Sequence, residues 1–270
     1  MLFAGIDVGA QSVKAVLFDG QKVLGRRVWI TEEEADTAAR RIYGDLLEEL
    51  DLRPEDVERV MATGWGAGEV SFADGKSSEQ ICAAKGSRFL VSTARTVVDM
   101  GAEGCRVMKL APDGTLEDFT NNAKCASGTG SFIELGAVYL KVPLEQMGAL
   151  SLTADGLAEV SSTCAVFAES VIISNIHAGE TPERIAAGIH QAAAARIWEL
   201  IGRVGLVEDI VLVGGAALNP GLIKTLEKMT GKVMAVPEHP RSVMALGAAI
   251  QASLKKGSRI KKGSSWKAQS

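Results

Sequence analysis

The sequence predicts an α/β protein in which one unit of the βββαβα kind is used twice. Three observations predict it. First, two stretches, beginning at Leu2 and Thr96, open alike: an apolar strand with an Asp near its end, a Gly turn, and a returning strand. Second, β-branched runs alternate with segments whose apolar residues recur at helical spacing. Third, the 270 residues are 47% hydrophobic with only 5% aromatic and 29 glycines, a composition for close backbone packing rather than bulky rings. A chain of this length buries roughly 73% of its unfolded surface, enough for one large domain or two small ones.

The elements follow in order. Leu2 to Val8 reads as a strand, Gly9 to Ser12 as a turn, and the alternating Val13 to Phe18 as the returning strand. Asp19-Gly20 turns into a third strand, Lys22 to Ile30. Thr31 to Leu52 reads as a helix, with Thr31 and Glu34 as a capping box and Ala39, Ile42, Leu46, Leu47 and Leu50 at helical spacing. Val57 to Thr63 is a strand running into Gly64-Trp65-Gly66-Ala67-Gly68, and Ser77 to Phe89 is a helix. The pattern then restarts with a strand at Thr96 to Met100, its partner at Arg106 to Leu110, a tight turn at Pro112-Asp113-Gly114, and a strand at Leu116 to Thr120. Helices are expected at 128–141, 165–177 and 182–204. Ile210 to Val213 is a strand ending in Gly214-Gly215, Leu222 to Thr230 a helix, Val233 to Val236 a strand, and Val243 to Leu254 a closing helix.

Charge and composition exclude several classes. The net charge is −4, so no global basic field invites nucleic acid. Six of the basic residues (Lys255, Lys256, Arg259, Lys261, Lys262 and Lys267) and no acidic one fall in the last twenty positions, which reads as a basic, solvated tail. No run approaches ~20 apolar residues, so no membrane span is expected. The first ten residues lack a basic segment ahead of an apolar run, so no secretion signal is expected and the chain is placed in the cytoplasm. Four cysteines at this length make no disulfide framework.

Three segments carry chemistry. In Gly5-Ile6-Asp7-Val8-Gly9-Ala10-Gln11-Ser12-Val13-Lys14, the glycine at the bend lets backbone N–H groups approach phosphate oxygens. Asp7 at the strand end suits Mg²⁺ through water, because that ion keeps its hydration shell. Ser12 can donate to a phosphate, and Lys14 adds charge. An ordinary hairpin with an Asp at its turn would look the same, so the specificity lies in the repetition at Asp99-Met100-Gly101. Two such bends form a phosphate clamp with two Mg²⁺-directed carboxylates. In Val211 to Asn219, an apolar strand enters Gly-Gly and turns into a helix, which suits an adenosine. The nucleotide-binding candidates are therefore Gly9, Gln11, Ser12, Lys14, Gly101, Ala102, Gly214, Gly215, Ala216 and Asn219. Other nucleotide sites fail. Gly75-Lys76-Ser77 has Val70 where a P-loop needs its first glycine, and neither G-x-G-x-x-G nor G-x-S-x-G occurs.

The triple pattern resembles the acetate and sugar kinase, heat-shock chaperone and actin superfamily. Two further segments narrow it: Asn122-Ala123-Lys124-Cys125-Ala126-Ser127-Gly128-Thr129-Gly130-Ser131-Phe132 and Val160-Ser161-Ser162-Thr163-Cys164-Ala165-Val166-Phe167-Ala168-Glu169-Ser170. They are similar to the two cluster-binding segments of the BadF/BadG/BcrA/BcrD ATPases, the activators of 2-hydroxyacyl-CoA dehydratases and the ATPase subunits of benzoyl-CoA reductase. The resemblance covers about residues 1–252. It implies a duplicated actin-like ATPase fold with nucleotide in the cleft between two lobes. Residues 1–95 would form the first lobe, 96–242 the second with the cluster segments, 243–254 the closing helix and 255–270 the tail. It implies ATP or ADP with Mg²⁺, and one 4Fe–4S cluster shared across a dimer interface by Cys125 and Cys164 of each chain. It also implies an acceptor dehydratase or reductase carrying iron–sulfur, and an upstream ferredoxin or flavodoxin donor. Each Cys precedes an expected helix, whose positive end suits an anionic cluster and lowers a thiol pKa. Gly128, Thr129 and Gly130 would face the phosphates, only a few residues from Cys125, so cluster and ATP would be coupled through one segment.

The second bend departs from the family. The activators usually read Asp-Ile-Gly-Gly-Gln-Asp-Ser-Lys where this chain has Asp99-Met100-Gly101-Ala102-Glu103-Gly104-Cys105-Arg106. The first bend has Ala10-Gln11 where Ser-Thr is common. The catalytic candidates are Asp7, Asp99 and Glu103. Glu103 either orients the attacking water more strongly than Gln or repels the γ-phosphate, and both remain open. The divergence is closer to the short D-type ATPase of benzoyl-CoA reductase, so the chain across the cluster is either a second copy or a paralogue. A small-molecule kinase of the same superfamily is the alternative activity, and a non-catalytic nucleotide-sensing assembly protein the alternative class. Elsewhere, Cys82 reads as core, and Cys105 as either an exposed reactive thiol or an ordinary strand position. His177, His190 and His239 show no metal spacing. Trp65 suits an interface or plain packing, and Glu134 and Glu169 suit the nucleotide, the dimer interface or surface ion pairs.

Overall fold

Gly9 turns β1 (Leu2–Val8) back into β2 (Ser12–Phe18). Asp19 shapes the next turn, its carboxylate accepting from the backbone of Gln21 and Lys22 at 2.8 Å, and β3 (Val23–Ile30) follows. The computed structural model describes residues 1–30, 33–122, 130–160 and 165–254, with only the backbone described at 165 and 166. These fall in two units. The first holds Met1–Thr93, Pro112–Leu116 and the described residues from Arg241 on; the second holds Ala94–Ala111 and Glu117–Pro240.

In the first unit the sheet order is β3-β2-β1-β4-β5, with β4 (Val57–Thr63) and β5 (Gly75–Lys76) added in parallel to the antiparallel β1–β2–β3 ribbon. β1 is apolar on both faces because both are buried. Ala4, Ile6 and Val8 pack with Ala39, Ile42 and Leu46 of α1 (Ala35–Glu49), while Phe3 packs with Met61, Cys82, Ala248 and Ala252. The latter face is covered by α2 (Glu79–Leu90) and α8 (Val243–Leu254). These two helices cross backbone to backbone: a Cβ at Gly247 would lie 1.8 Å from the Cys82 carbonyl oxygen, and one at Gly86 2.1 Å from that of Val243.

The second unit repeats the sheet strand for strand. β6 (Thr96–Met100), β7 (Cys105–Leu110), β8 (Leu116–Asn122), β9 (Ile210–Val213) and β10 (Met234–Ala235) lie in the order β8-β7-β6-β9-β10. Its helices are α3 (Gly130–Leu140), α4 (Met147–Leu152), α5 (Ala165–His177), α6 (Pro182–Val204) and α7 (Pro220–Thr230). The core is built on α6, whose Ile185, Ile189, Ile197 and Ile201 are fully buried with Val98, Val107 and Leu212 of the sheet. Thr181 caps α6, its hydroxyl accepting from Arg184 N, and Pro182 occupies the first helical position, where no N–H is needed. Among the described residues no helix is long and apolar enough to cross a membrane.

Several expected boundaries move, each for a local reason. Thr31, one half of the expected capping box, lies outside the described residues; α1 starts at Ala35, and its cap, Glu34, makes no side-chain hydrogen bond among the described residues. Asp36 anchors the first turn instead, accepting from the backbone N–H and hydroxyl of Ser71 at 2.8 and 2.9 Å. Ser77 belongs to the sheet edge, its N–H donating to the Ala62 carbonyl at 2.9 Å, so Ser78 caps α2. α7 begins two residues early because Asn219 caps it and Pro220 opens it. The six residues of α4 and the two of β5 carry too little pattern to be read from sequence. The basic tail, 255–270, lies outside the described residues.

Candidate functional site

β1 carries Asp7 to its end, opposite Lys14 in the antiparallel register. Asp7 is 1% exposed, and neither of its carboxylate oxygens accepts a hydrogen bond from any of the described residues. Lys14 Nζ stands 3.3 Å from Asp7 Oδ2 as an ion-pair partner, out of hydrogen-bond alignment, and donates to the Ser12 carbonyl at 3.3 Å. A buried carboxylate without donors is costly. The water shell of a hydrated divalent cation supplies such donors, so Asp7 fits Mg²⁺. Gly9 N donates to the Ser12 carbonyl at 3.0 Å and closes the bend, leaving Ala10 and Gln11 exposed and Ser12 half-buried.

The second unit builds the same bend. Asp99, also 1% exposed, lies opposite Arg106, and Gly101 N donates to the Gly104 carbonyl at 2.8 Å. The matched hydrogen bonds and registers align Gly9 with Gly101, Ala10 with Ala102, Gln11 with Glu103, Ser12 with Gly104 and Lys14 with Arg106. Here the cation is engaged: Arg106 Nη1 donates to Asp99 Oδ2 at 3.0 Å. Ala102 is half-buried, and Glu103 points into solvent.

The parallel neighbour of each Asp strand adds a glycine. Thr63 lies opposite Asp7, and Val213 opposite Asp99. The next residues, Gly64 and Gly214, have φ of +87° and +89°. A Cβ at Gly64 would lie 2.5 Å from Asp7 Oδ1 and 2.4 Å from the Val8 carbonyl; at Gly214 it would lie 2.8 Å from Asp99 Oδ1 and 2.4 Å from the Met100 carbonyl. Gly64 is thus a site residue that sequence reasoning passed over, although β4 and β9 both run apolar into Gly. Trp65 follows it, 87% exposed, where the second unit has Gly215. Past Gly215 and the buried Ala216, a short 3₁₀ turn (Gly215–Leu218) leads to Asn219, whose Oδ1 accepts from Leu222 N at 3.0 Å. Its amide nitrogen lies 3.0 Å from His190 Nε2.

The start of α3 is hooked onto the second bend. Gly130 N donates to the Gly101 carbonyl at 2.9 Å, and Ser131 donates to the Ala102 carbonyl through N at 2.9 Å and Oγ at 2.7 Å. The Tyr139 hydroxyl of α3 donates to Glu169 Oε1 of α5, and that carboxylate raises the phenol pKa. Val138 on α3 and Phe167 on α5 are 68% and 67% exposed, and Glu134 is exposed. Cys125, Cys164, Gly128 and Thr129 lie outside the described residues. The reactive reading of Cys105 is overturned: it is fully buried, and burial, then Asp99, push its thiol pKa up. Cys82 is buried too, its thiol raised by desolvation. Among the described residues no group of three His, Cys, Asp or Glu could hold a metal ion. The first unit therefore gathers Asp7, Gly9, Gln11, Ser12 and Lys14. The second gathers Asp99, Gly101, Ala102, Glu103, Gly130, Gly214, Gly215, Ala216 and Asn219.

Residues 4–252 match the model of the BadF/BadG/BcrA/BcrD ATPase family. The chain is 38% identical to the activator of lactoyl-CoA dehydratase of Anaerotignum propionicum, over 93% of this chain and 97% of that one. It is also 38% identical to the D-type subunit of the benzoyl-CoA reductase of Thauera aromatica, over 92% and 91%. The structure superposes with a TM-score of 0.87 on the activator of the 2-hydroxyisocaproyl-CoA dehydratase from Clostridium difficile with bound ADPNP, at 34% identity, over 93% of this chain and 94% of that one. The architecture is the duplicated actin-like ATPase fold.

Proposed function

The chain belongs to the BadF/BadG/BcrA/BcrD ATPase family, and from that membership we propose that it hydrolyses Mg²⁺-bound ATP to drive a low-potential electron into an acyl-CoA dehydratase or aromatic acyl-CoA reductase. Asp7 orients the water shell of the cation with carboxylate oxygens that accept no hydrogen bond from the described residues. The N–H groups of the two bends, Ser12, Lys14 and Arg106 bind phosphate oxygens, and Gly214 to Asn219 receive the adenosine. Asp99, held by Arg106, and Glu103 at the tip of the second bend face the reacting phosphate. Nucleotide binding agrees with the ADPNP held by the similar activator structure.

Cys125 and Cys164 from each of two chains would hold the 4Fe–4S cluster. The cluster, when bound, supplies a one-electron carrier. The other two cysteines are buried with raised thiol pKa values and are unsuited as thiolate ligands. The exposed Val138 and Phe167, on the helices that follow the two cysteines, favour burial against a second chain. A ferredoxin or flavodoxin would reload the electron.

The observation that carries the coupling is the trio of hydrogen bonds from Gly130 and Ser131 to the carbonyls of Gly101 and Ala102. A change in phosphate contacts at the second bend pulls on the helix that begins five residues after Cys125. Differential contacts with ATP and ADP then shift the helix population. The test is iron and acid-labile sulfide on anaerobically purified protein beside Cys125→Ser, with electron delivery assayed under ATP and ADPNP. About four irons per dimer, lost in the variant, and delivery that stops under ADPNP are expected. If the chain alone carries no iron, the paralogous partner is co-expressed. No iron there either, or undiminished multi-turnover delivery under ADPNP, overturns the proposal.

A further inference from the structure

His190 sits in the middle of α6, fully buried, in the unit that holds Asn219. Its chemistry follows from its neighbours one atom at a time. Leu222 N–H only donates, so the Asn219 atom 3.0 Å from it is the carbonyl Oδ1. The amide NH₂ therefore points the other way, at His190 Nε2, 3.0 Å distant. An NH₂ group only donates, so Nε2 must present its lone pair and the imidazole proton must sit on Nδ1. Among the described residues Nδ1 has no hydrogen-bond partner. Burial holds the ring neutral, its pKa lowered to about 4. A second proton would also set N–H against NH₂. The packing leaves the pair no slack: a Cβ at Gly148 would lie 2.7 Å from Asn219 Oδ1, and one at Gly221 2.8 Å from His190 Nδ1.

A buried donor left orphaned at Nδ1 costs stability that an apolar residue in its place would not. What the histidine supplies in exchange is a single acceptor aimed at one amide. We propose that His190 is a positioning residue of the nucleotide site: its Nε2 lone pair fixes the amide of Asn219, and with it the turn from Gly214 to Asn219. This rests on the reading of that turn as the adenosine-binding segment. His190 does not touch the nucleotide. It acts through Asn219, which in one orientation both caps α7 and ends the glycine turn.

Two measurements test it. The first is the ¹⁵N tautomer of His190 in the whole protein, which does not depend on nucleotide. The Nδ1–H tautomer is expected in the native protein, and Asn219→Asp should move the proton to Nε2 by placing a carboxylate oxygen there. An Nε2–H tautomer in the native protein overturns the pairing. The second is ADP affinity. His190→Leu removes the acceptor at similar volume and should raise the ADP dissociation constant about tenfold, the loss of roughly one net hydrogen bond. Turnover at saturating ATP should stay within about twofold. His190→Gln, whose side-chain carbonyl can accept from the amide, should recover most of the affinity. Should His190→Leu fail to fold, Asn219→Ser, which keeps a capping hydroxyl but has no amide, is expected to show the same rise. Unchanged affinity in these variants, with only a lowered melting temperature, makes His190 a plain core residue. Absence of ADP binding by the native protein overturns the nucleotide reading and the positioning role with it, while the tautomer still decides whether the pair exists.

Discussion

At the first bend, Asp7 faces Lys14 across 3.3 Å without a hydrogen bond; at the second, Asp99 receives Arg106 Nη1 at 3.0 Å. The backbone geometry of the two bends matches. The registers agree, the closing hydrogen bonds agree, and a glycine of positive φ lies against each carboxylate. Steric demands have preserved the backbone of the duplicated unit, because any Cβ at Gly64 or Gly214 would collide with an oxygen. Electrostatic demands have separated the halves. Asp7 accepts no hydrogen bond among the described residues, and Asp99 accepts one from Arg106.

The sharpest way to break this comparison is Asp7→Asn against Asp99→Asn. Loss of Asp7 should lower steady-state ATP hydrolysis about 10²- to 10³-fold, the scale of removing one preorganised charge-stabilising group. Asp99→Asn should cost at least tenfold less, and the reverse order would assign the cation to the second bend. Next come Gly64→Ala and Gly214→Ala, each expected to lose about 2–3 kcal/mol in denaturant unfolding, from positive-φ strain plus a backbone clash. A loss at only one of the two would show that the duplication is less strict than its geometry. Arg106→Met removes the 3.0 Å hydrogen bond to the buried Asp99 carboxylate and should cost about 2 kcal/mol, whereas Lys14→Met should cost about 1 kcal/mol or less. Equal losses would erase the distinction drawn between the two pairs. The smallest effect is expected from Glu103→Gln. Its exposed charge is screened, so ATP turnover should rise by no more than about threefold. A fall beyond tenfold would instead make Glu103 the group that orients the attacking water.

Much of this was legible in the residues. The strands around Asp7 and Asp99 have strong alternation and Gly punctuation, and they lie where the pattern places them. So do α5 and α6, whose periodicity is long enough to be unambiguous. α1 starts late because a partner distant in sequence, Ser71, anchors its first turn through Asp36. α4 and β5 are too short to carry a period. The burial of Cys105 could not be read from a strand whose two faces look alike until α3 and α6 cover one of them. Gly64 was visible as a residue but not as the counterpart of Gly214, since that needs both parallel neighbours in register.

The sequence by itself determined the duplicated α/β architecture, the two Asp–Gly bends, the third glycine turn and the family. All of these rest on local pattern, on residue types at fixed spacing, and on motifs that stay contiguous in the chain. Only the tertiary structure decided that Arg106 hydrogen-bonds Asp99 while Lys14 pairs with Asp7 without a hydrogen bond, that α3 hangs from the second bend, and that Asn219 meets His190. Each of those depends on where an atom lies to within a few tenths of an ångström. Hydrogen bonds are made or lost over that distance, and it is set by how distant segments pack.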